Sequence, residues 1–145
     1  MELLPLGPLS LKRLSKEIES YSNESDLWIV RHEISNSAGN LCLHLLGNLN
    51  AYIGANLAKT GYVRDRPAEF SLKYVPKDDL LNNIKSISTI IEKVFLDRAG
   101  DTFNEIYPEE VLGYPMTTEY FLIHLYGHLN YHLGQINYHR RLLAS

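Results

Sequence analysis

Residues Glu119–Arg141 read EYFLIHLYGHLNYHLGQINYHRR and carry four of the six histidines of the chain. Three of them recur at every fourth position: His124, His128 and His132. Each residue of an α-helix advances by about 100°, so three such positions fall on one stripe about 80° wide. The adjoining arc is aliphatic and consists of Leu122, Leu125, Leu129, Leu133 and Ile136. The stretch therefore predicts an amphipathic helix with histidines at the border of its buried face.

The histidine stripe is typical of a metal site. Two imidazoles one turn apart can chelate a divalent ion, because the helix fixes their separation and histidine nitrogens bind transition metals at about 2.0–2.1 Å. The histidines from His124 to His139 span about 22 Å at 1.5 Å per residue, so only one neighbouring pair can reach the same ion. Spacing alone leaves His124/His128 and His128/His132 as equal alternatives. In either case a third ligand has to come from another helix.

Apolar residues at three- and four-residue spacing predict three further helices upstream, over about residues 9–21, 36–58 and 78–99. The expected N-terminal caps are Ser35, Asn36 or Ser37 for the second helix and Thr117 or Thr118 for the last. No stretch has a convincing alternating strand pattern. The 145 residues are enough for one domain with one core. The sequence thus predicts a single all-α domain over residues 1–145, a four-helix bundle of the kind that builds metal sites between facing helices.

The second helix offers the third ligand. His44 lies at the edge of its apolar arc, and Asn48 continues that edge like the wall of a pocket between two helices. Cys42 points about 200° away from His44 and is expected in the core. Trp28, the only tryptophan, is expected to anchor the preceding connection to the core. Three neutral imidazoles leave at least one position on zinc, nickel or iron open to water or substrate.

The segment 61–73 is predicted to be a charged loop between the second and third helices. Two interpretations stay open for its arginines. Arg64 or Arg66 binds a substrate carboxylate through its forked donors, or the loop is a solvated surface like most charged loops.

Composition excludes several classes of partner. The formal net charge is -3 and there is no long run of lysine or arginine, so we expect no nucleic-acid or membrane binding. The single cysteine permits no internal disulfide, and the N-terminus lacks the pattern of a signal peptide. No run approaches the roughly 18 apolar residues of a membrane span. The expected location is the cytoplasm.

Three segments resemble the DinB-like, or DinB/YfiT-like, superfamily of small metal-binding four-helix bundles: His44, the loop GYVRDRPAEF at 61–70, and the run HLNYHLGQ at 128–135. The resemblance spans nearly the whole chain. It implies a metal site made of His44, His128 and His132, with His124 as a neighbouring or pocket residue. Family members with assigned activities are thiol-dependent transferases or isomerases, so the resemblance implies a small-molecule substrate such as a low-molecular-weight thiol. It also implies a homodimer.

Three hypotheses follow for the histidines. In the first, the protein is a metal-dependent enzyme that activates a thiol or water, and Gln135 orients a ligand or a bound water. In the second, the ion only cross-links two helices of a non-catalytic interaction or stress protein. In the third, no metal binds and the histidines are satisfied by hydrogen bonds, with Tyr131 and Tyr138 as the expected partners. The sequence assigns no catalytic acid or base.

Overall fold

The computed structural model describes residues 6–98 and 100–144. Their α-helices are α1 (Leu6–Glu19), α2 (Ala38–Leu49), α3 (Arg66–Ser71), α4 (Lys77–Asp97) and α5 (Thr118–Leu143). A π-helical segment, Asn50–Ala55, continues α2, and short 3-10 helices span Glu24–Trp28 and Gly100–Asn104. Within the described residues there is no β-strand, only an isolated antiparallel bridge between Ile106 and Thr117. The prediction of an all-α protein is confirmed.

Helices α1, α4 and α5 bury one face each, whereas eleven of the twelve residues of α2 are buried. Helix α1 packs against α4 and α5, and α2 packs against α4 and α5 as well as α3. The buried residues of α4 follow the predicted spacing and are Leu80, Ile84, Ile87, Ile91 and Val94. Three further apolar residues of α4 lie at the margin of this face and are only partly buried: Leu81, Ile90 and Phe95. The apolar periodicity therefore predicts both that α4 forms and which of its sides is buried.

The helix boundaries are set by side-chain caps. Ser37 Oγ accepts a hydrogen bond from the Asn40 amide at 3.2 Å, and Thr117 Oγ1 accepts one from the Tyr120 amide at 3.1 Å. These bonds satisfy amide groups that have no partner within the helix. Both caps were among the predicted alternatives. Helix α4 ends at Asp97, and Ala99, its predicted end, lies outside the described residues.

Two core predictions are confirmed. Trp28 is 6% exposed, and its ring lies so close to the backbone of Gly39 that a Cβ there would fall 2.7 Å from ring carbons. The connection before α2 is therefore held by an aromatic ring packed on a residue without a side chain. Cys42 is completely buried, and burial raises the pKa of its thiol to about 12.

The charged segment 61–73 differs from the prediction, because it contains α3. Asp65 caps this helix by accepting a hydrogen bond from the Ala68 amide at 3.2 Å, and Pro67 occupies its first turn. An aspartate cap followed by proline is a helix start signal, which the charge of the segment obscured. Helix α3 packs against α2 and carries Glu69 to the interior. None of the helices in the described ranges combines the length and apolar character needed to cross a membrane.

Candidate metal centre

Helices α2 and α5 bring three histidines together. His44, His128 and His132 can each offer a ring nitrogen so that the three nitrogens lie within 4.8 Å of one another. The Nε2 atoms of His44 and His128 are 3.1 Å apart, and the rings of His128 and His132 have centroids 4.6 Å apart. Metal–nitrogen bonds of about 2.0–2.1 Å place two nitrogens of a tetrahedral site about 3.4 Å apart. The three residues could therefore hold a metal ion.

The ring of His44 is held by a carboxylate. His44 Nδ1 lies 3.0 Å from Glu69 Oε1, and since an ionised carboxylate can only accept, the ring proton is on Nδ1. The lone pair of Nε2 then faces the other two histidines. Glu69 is fixed in turn by Arg64, whose Nε donates to Oε2 at 2.8 Å and whose Nη2 donates to Oε1 at 2.9 Å. This chain of contacts fixes the tautomer and orientation of the ring.

Glycine at position 47 makes room for this carboxylate. A Cβ built on Gly47 would clash with the carboxylate carbon and Oε2 of Glu69. Gly47 is in the middle of α2, where glycine disfavours the helix. Gly47 therefore allows α3 to approach α2 closely. As a result the Glu69 side chain, which is 5% exposed, lies against the backbone of α2 beside His44.

The other two histidines differ in their environment. His132 Nδ1 lies 2.7 Å from Oε1 of the exposed Gln135, so its Nε2 is also left available. His128 Nδ1 is buried without a hydrogen-bond partner, as is Oδ1 of Asn48, one turn after His44 on α2. Buried polar atoms are rarely left unpaired. These two orphaned atoms, one on a ring of the cluster and one on the residue a turn after His44, fit a site that a ligand or water completes.

The electrostatic environment keeps two of the rings neutral. Burial is the main cause that lowers the pKa of His128 to about 4, and positive charge on His132 and His44 acts in the same direction. Burial also lowers the pKa of His44, although the hydrogen bond to Glu69 acts in the opposite direction. Metal ions bind the neutral imidazole, so at neutral pH these rings are in the form that acts as a ligand.

Three other predicted site residues, His124, Arg64 and Arg66, do not belong to the three-histidine cluster. His124 is exposed and stacks on Phe121 with centroids 5.9 Å apart, so it is not part of the three-histidine cluster. The fork of Arg64 is engaged by Glu69, an internal carboxylate, and its guanidinium lies 5.6 Å from the ring centre of Tyr52. Arg66 is exposed, with its guanidinium 5.7 Å from the ring centre of Phe70.

His139 belongs to a separate environment. Its Nδ1 is 2.6 Å from the Tyr21 hydroxyl and its Nε2 is 2.8 Å from the Ile29 carbonyl. The hypothesis of a hydrogen-bonded histidine thus describes this residue, but with another partner than expected. Tyr131 and Tyr138 are 66% and 65% exposed.

Two residues of the site are not predicted from the sequence. The charge of Glu69 is typical of a solvated loop, and Gly47 has no distinguishing local pattern. The start signal of α3, Asp65 followed by Pro67, is the pattern that would have placed Glu69 on a helix.

Comparison of the sequence with protein-family models and with curated proteins finds no match. The fold and the site together define an all-helical protein whose three clustered histidines could hold a metal ion. Its similarity to the DinB-like superfamily rests on the motifs of the sequence itself and stays a prediction.

Proposed function

We propose that the chain is a DinB-like four-helix bundle and a divalent-metal-dependent enzyme. Its metal site would activate a small-molecule thiol or a water molecule. The observation that carries this proposal is the convergence of His44, His128 and His132, with ligand nitrogens within 4.8 Å, from two helices. A purely structural histidine has its ring nitrogens satisfied by the protein, whereas here the nitrogens of three rings face one another.

The packing supports a bundle. The long helices α1 and α2 each contact both α4 and α5, which is the set of neighbours that four helices around one core would have. The short helix α3 is then an addition that covers α2 and supplies Glu69. Metal sites of bundles are built from side chains on facing helices, as are the three histidines of α2 and α5.

A bound zinc, nickel or iron ion would supply Lewis acidity, which favours the thiolate form of a thiol or the hydroxide form of water near neutral pH. The residues of the chain prepare this site. Glu69 holds the Nδ1 proton of His44 and makes its Nε2 more basic, and burial keeps His128 neutral. Oδ1 of Asn48, one turn after His44 on α2, is buried without a partner and would be free to accept a proton from a bound substrate.

Charge and cysteine content favour an external thiol. Arg64 and Glu69 neutralise each other, so a divalent ion held by the imidazoles would give the site a net positive charge that attracts an anion such as a thiolate. The only cysteine, Cys42, is buried and its pKa is raised to about 12, so the protein itself has no reactive thiol. The nucleophile would therefore be a low-molecular-weight thiol or water.

The test is elemental analysis of the purified protein followed by turnover. We expect one divalent transition metal per chain, and metal-dependent consumption of a small thiol in the presence of a chromogenic alkylating substrate. His44→Ala, His128→Ala and His132→Ala should each abolish turnover, and His124→Ala is the matched control. Thiol consumption that persists in a metal-free triple variant would falsify the proposal. An ion that raises the melting temperature without any turnover would favour the non-catalytic alternative.

A further inference from the structure

The side-chain amide of Asn40 joins α2 to the short helix α3. Asn40 lies in the first turn of α2 and is completely buried. Its Nδ2 atom donates to the carbonyl oxygens of Glu69 and Leu72, each at 2.9 Å, and Leu72 directly follows α3. Its Oδ1 atom accepts from the Ser37 hydroxyl at 2.7 Å and from Lys73 Nζ. An asparagine amide has two N–H donors and two acceptor lone pairs, so here every one of them is used.

These hydrogen bonds hold α3 in its place on α2. A helix of six residues is not stable by itself, so α3 keeps its position through its contacts with neighbouring elements. The carbonyls at the end of a helix have no partner within it, and Asn40 supplies a partner for those of Glu69 and Leu72. A buried polar network in which every group is matched is rigid, so it fixes one arrangement of the two helices.

Glu69 connects this network to the histidine cluster. Its backbone carbonyl accepts from Asn40, and its side-chain Oε1 atom lies 3.0 Å from Nδ1 of His44. Asn40 and His44 are four residues apart, so Glu69 is attached to two successive turns of α2. The pair of Glu69 with Arg64 is made between residues five apart in one segment, and it orients the carboxylate without fixing the backbone that carries it.

We propose that Asn40 is a positioning residue of the candidate metal centre, because its hydrogen bond to the backbone of Glu69 determines where the carboxylate meets His44. This role rests on the metal site of the proposed function and adds a residue behind Glu69 to its support. None of the side-chain hydrogen bonds of Asn40 reaches a histidine, so its effect on the ion has to pass through Glu69. Asn40 itself is neither a ligand nor a catalytic residue.

The experiment measures the metal affinity of the full chain by competition with a chelator. Asn40→Asp preserves the shape of the side chain and an oxygen that can accept from Ser37 and Lys73, but it removes both N–H donors. The bonds to the α3 carbonyls are then lost and Glu69 moves. We expect a roughly threefold to tenfold loss of metal affinity, smaller than that of Glu69→Ala, because the carboxylate is displaced but still present.

Asn56→Asp is the matched control. Nδ2 of Asn56 also donates two hydrogen bonds, both at 3.0 Å, to the hydroxyl of Tyr107 and to the carboxylate of Glu109. Neither acceptor belongs to the histidine cluster, so the same substitution there should leave metal affinity unchanged. Asn40→Ala removes the amide without adding a charge. It should lower metal affinity in the same way as Asn40→Asp, and it takes the place of Asn40→Asp if that variant does not fold.

A double variant separates positioning from a general loss of stability. If Asn40 acts through Glu69, then Asn40→Asp should not lower metal affinity further in a chain that already carries Glu69→Ala. A change that only loosened α2 would lower the affinity in both backgrounds. A further loss of more than about twofold in the double variant would overturn the proposal. So would an equal loss in Asn56→Asp, or unchanged affinity in both Asn40 variants.

A second readout needs no metal. Nitrogen-15 NMR of His44, at neutral pH with a chelator present, shows which ring nitrogen carries the proton. We expect the proton on Nδ1 in the wild type and a mixture of both tautomers in the Asn40 variants, because the carboxylate has moved. A wild type that binds no metal would refute the proposed function, and the tautomer would still test Asn40. Mixed tautomers in the wild type, or the wild-type tautomer in both Asn40 variants, would overturn the role of Asn40.

Discussion

Helix α5 carries two different histidine environments, three turns apart. His139 has both ring nitrogens matched, one by the Tyr21 hydroxyl at 2.6 Å and one by the Ile29 carbonyl at 2.8 Å. His128 has its Nδ1 buried without a partner, and its Nε2 faces the Nε2 of His44 at 3.1 Å. The first arrangement joins α5 to the connection that follows α1, which carries both Tyr21 and Ile29. In the second arrangement, the contact between α5 and α2 is made by the Nε2 atoms of His128 and His44, which point at each other.

The difference shows what distinguishes a structural histidine from a candidate ligand. A neutral imidazole has one donor and one acceptor, and around His139 the protein supplies a partner for each. Around His128 the Nδ1 atom has no partner, and the Nε2 atom meets only the Nε2 atom of another histidine. A metal ion is the partner that several facing nitrogen lone pairs can share.

The largest difference is expected between His128→Ala and His139→Phe. Removing one of three ligands should weaken metal binding more than about 100-fold, beyond the loss usual for a residue that only supports a ligand. His139→Phe should leave metal affinity intact. It strands the Ile29 carbonyl, at about 1–3 kcal/mol of stability, and leaves the Tyr21 hydroxyl only its 3.4 Å bond to the Ile136 carbonyl. Titration against a competing chelator and urea unfolding measure the two effects. Equal loss of metal in both variants would remove the distinction.

Glu69→Ala should have the next largest effect. Without the carboxylate, His44 loses the partner that fixes its tautomer, so metal affinity should fall about 10- to 100-fold. Glu17→Ala is the matched control, because Glu17 accepts from Arg140 at 2.7 Å in the ion pair between α1 and α5. It should change stability by about 0–1 kcal/mol and leave metal affinity unchanged. The role assigned to Glu69 is lost if the two variants bind metal equally well.

Local patterns predict the helices and much of the site. The spacing of apolar residues gives α1, α2, α4 and α5, and short polar caps give the first residues of α2 and α5. The same periodicity places His44 and the histidine stripe at the borders of buried faces. It cannot select the chelating pair, because His124 and His132 have equal spacing from His128. The resemblance to the DinB-like family implies the trio that the structure brings together.

Long-range packing determines the rest. His139 lies within about 20° of His128 around the helix, so periodicity treats the two alike. They differ because Tyr21, on a segment more than a hundred residues earlier, reaches one of them. Glu69 is part of the site only because α3 lies against Gly47 of α2. Neither contact is encoded in a local repeat.

Gly47→Ala should reproduce part of the Glu69 effect without changing any polar group. The added methyl occupies the space of the Glu69 carboxylate, so the hydrogen bond to His44 should lengthen or break. We expect about a tenfold loss of metal affinity, at the low end of the range for supporting residues. Gly127→Ala is the control, since a Cβ there meets nothing within 4 Å. If both variants keep full metal affinity, then metal binding does not depend on the position of the Glu69 carboxylate.

Gln135→Ala should have a smaller effect than either change around Glu69. Gln135 is exposed, so water can replace its oxygen as the acceptor for the Nδ1 proton of His132. We expect a loss of metal affinity of a few-fold, measured by the same chelator competition. A loss as large as that of Glu69→Ala would mean that the exposed contact holds its ring as firmly as the buried one.

The smallest effect concerns the metal-free protein and its dependence on pH. The pKa of His128 falls from 6.5 to about 4 on folding, chiefly through burial. Between these values the unfolded chain binds a proton at this ring that the folded protein does not. The free energy of unfolding should therefore decrease as the pH is lowered from about 6.5 to about 4, with no contribution from this ring above that range. Carboxylates also titrate there, so the measurement is urea unfolding of wild type and His128→Ala in chelator. If the free energy of unfolding falls no more steeply with decreasing pH in the wild type than in His128→Ala, then burial does not lower the pKa of His128.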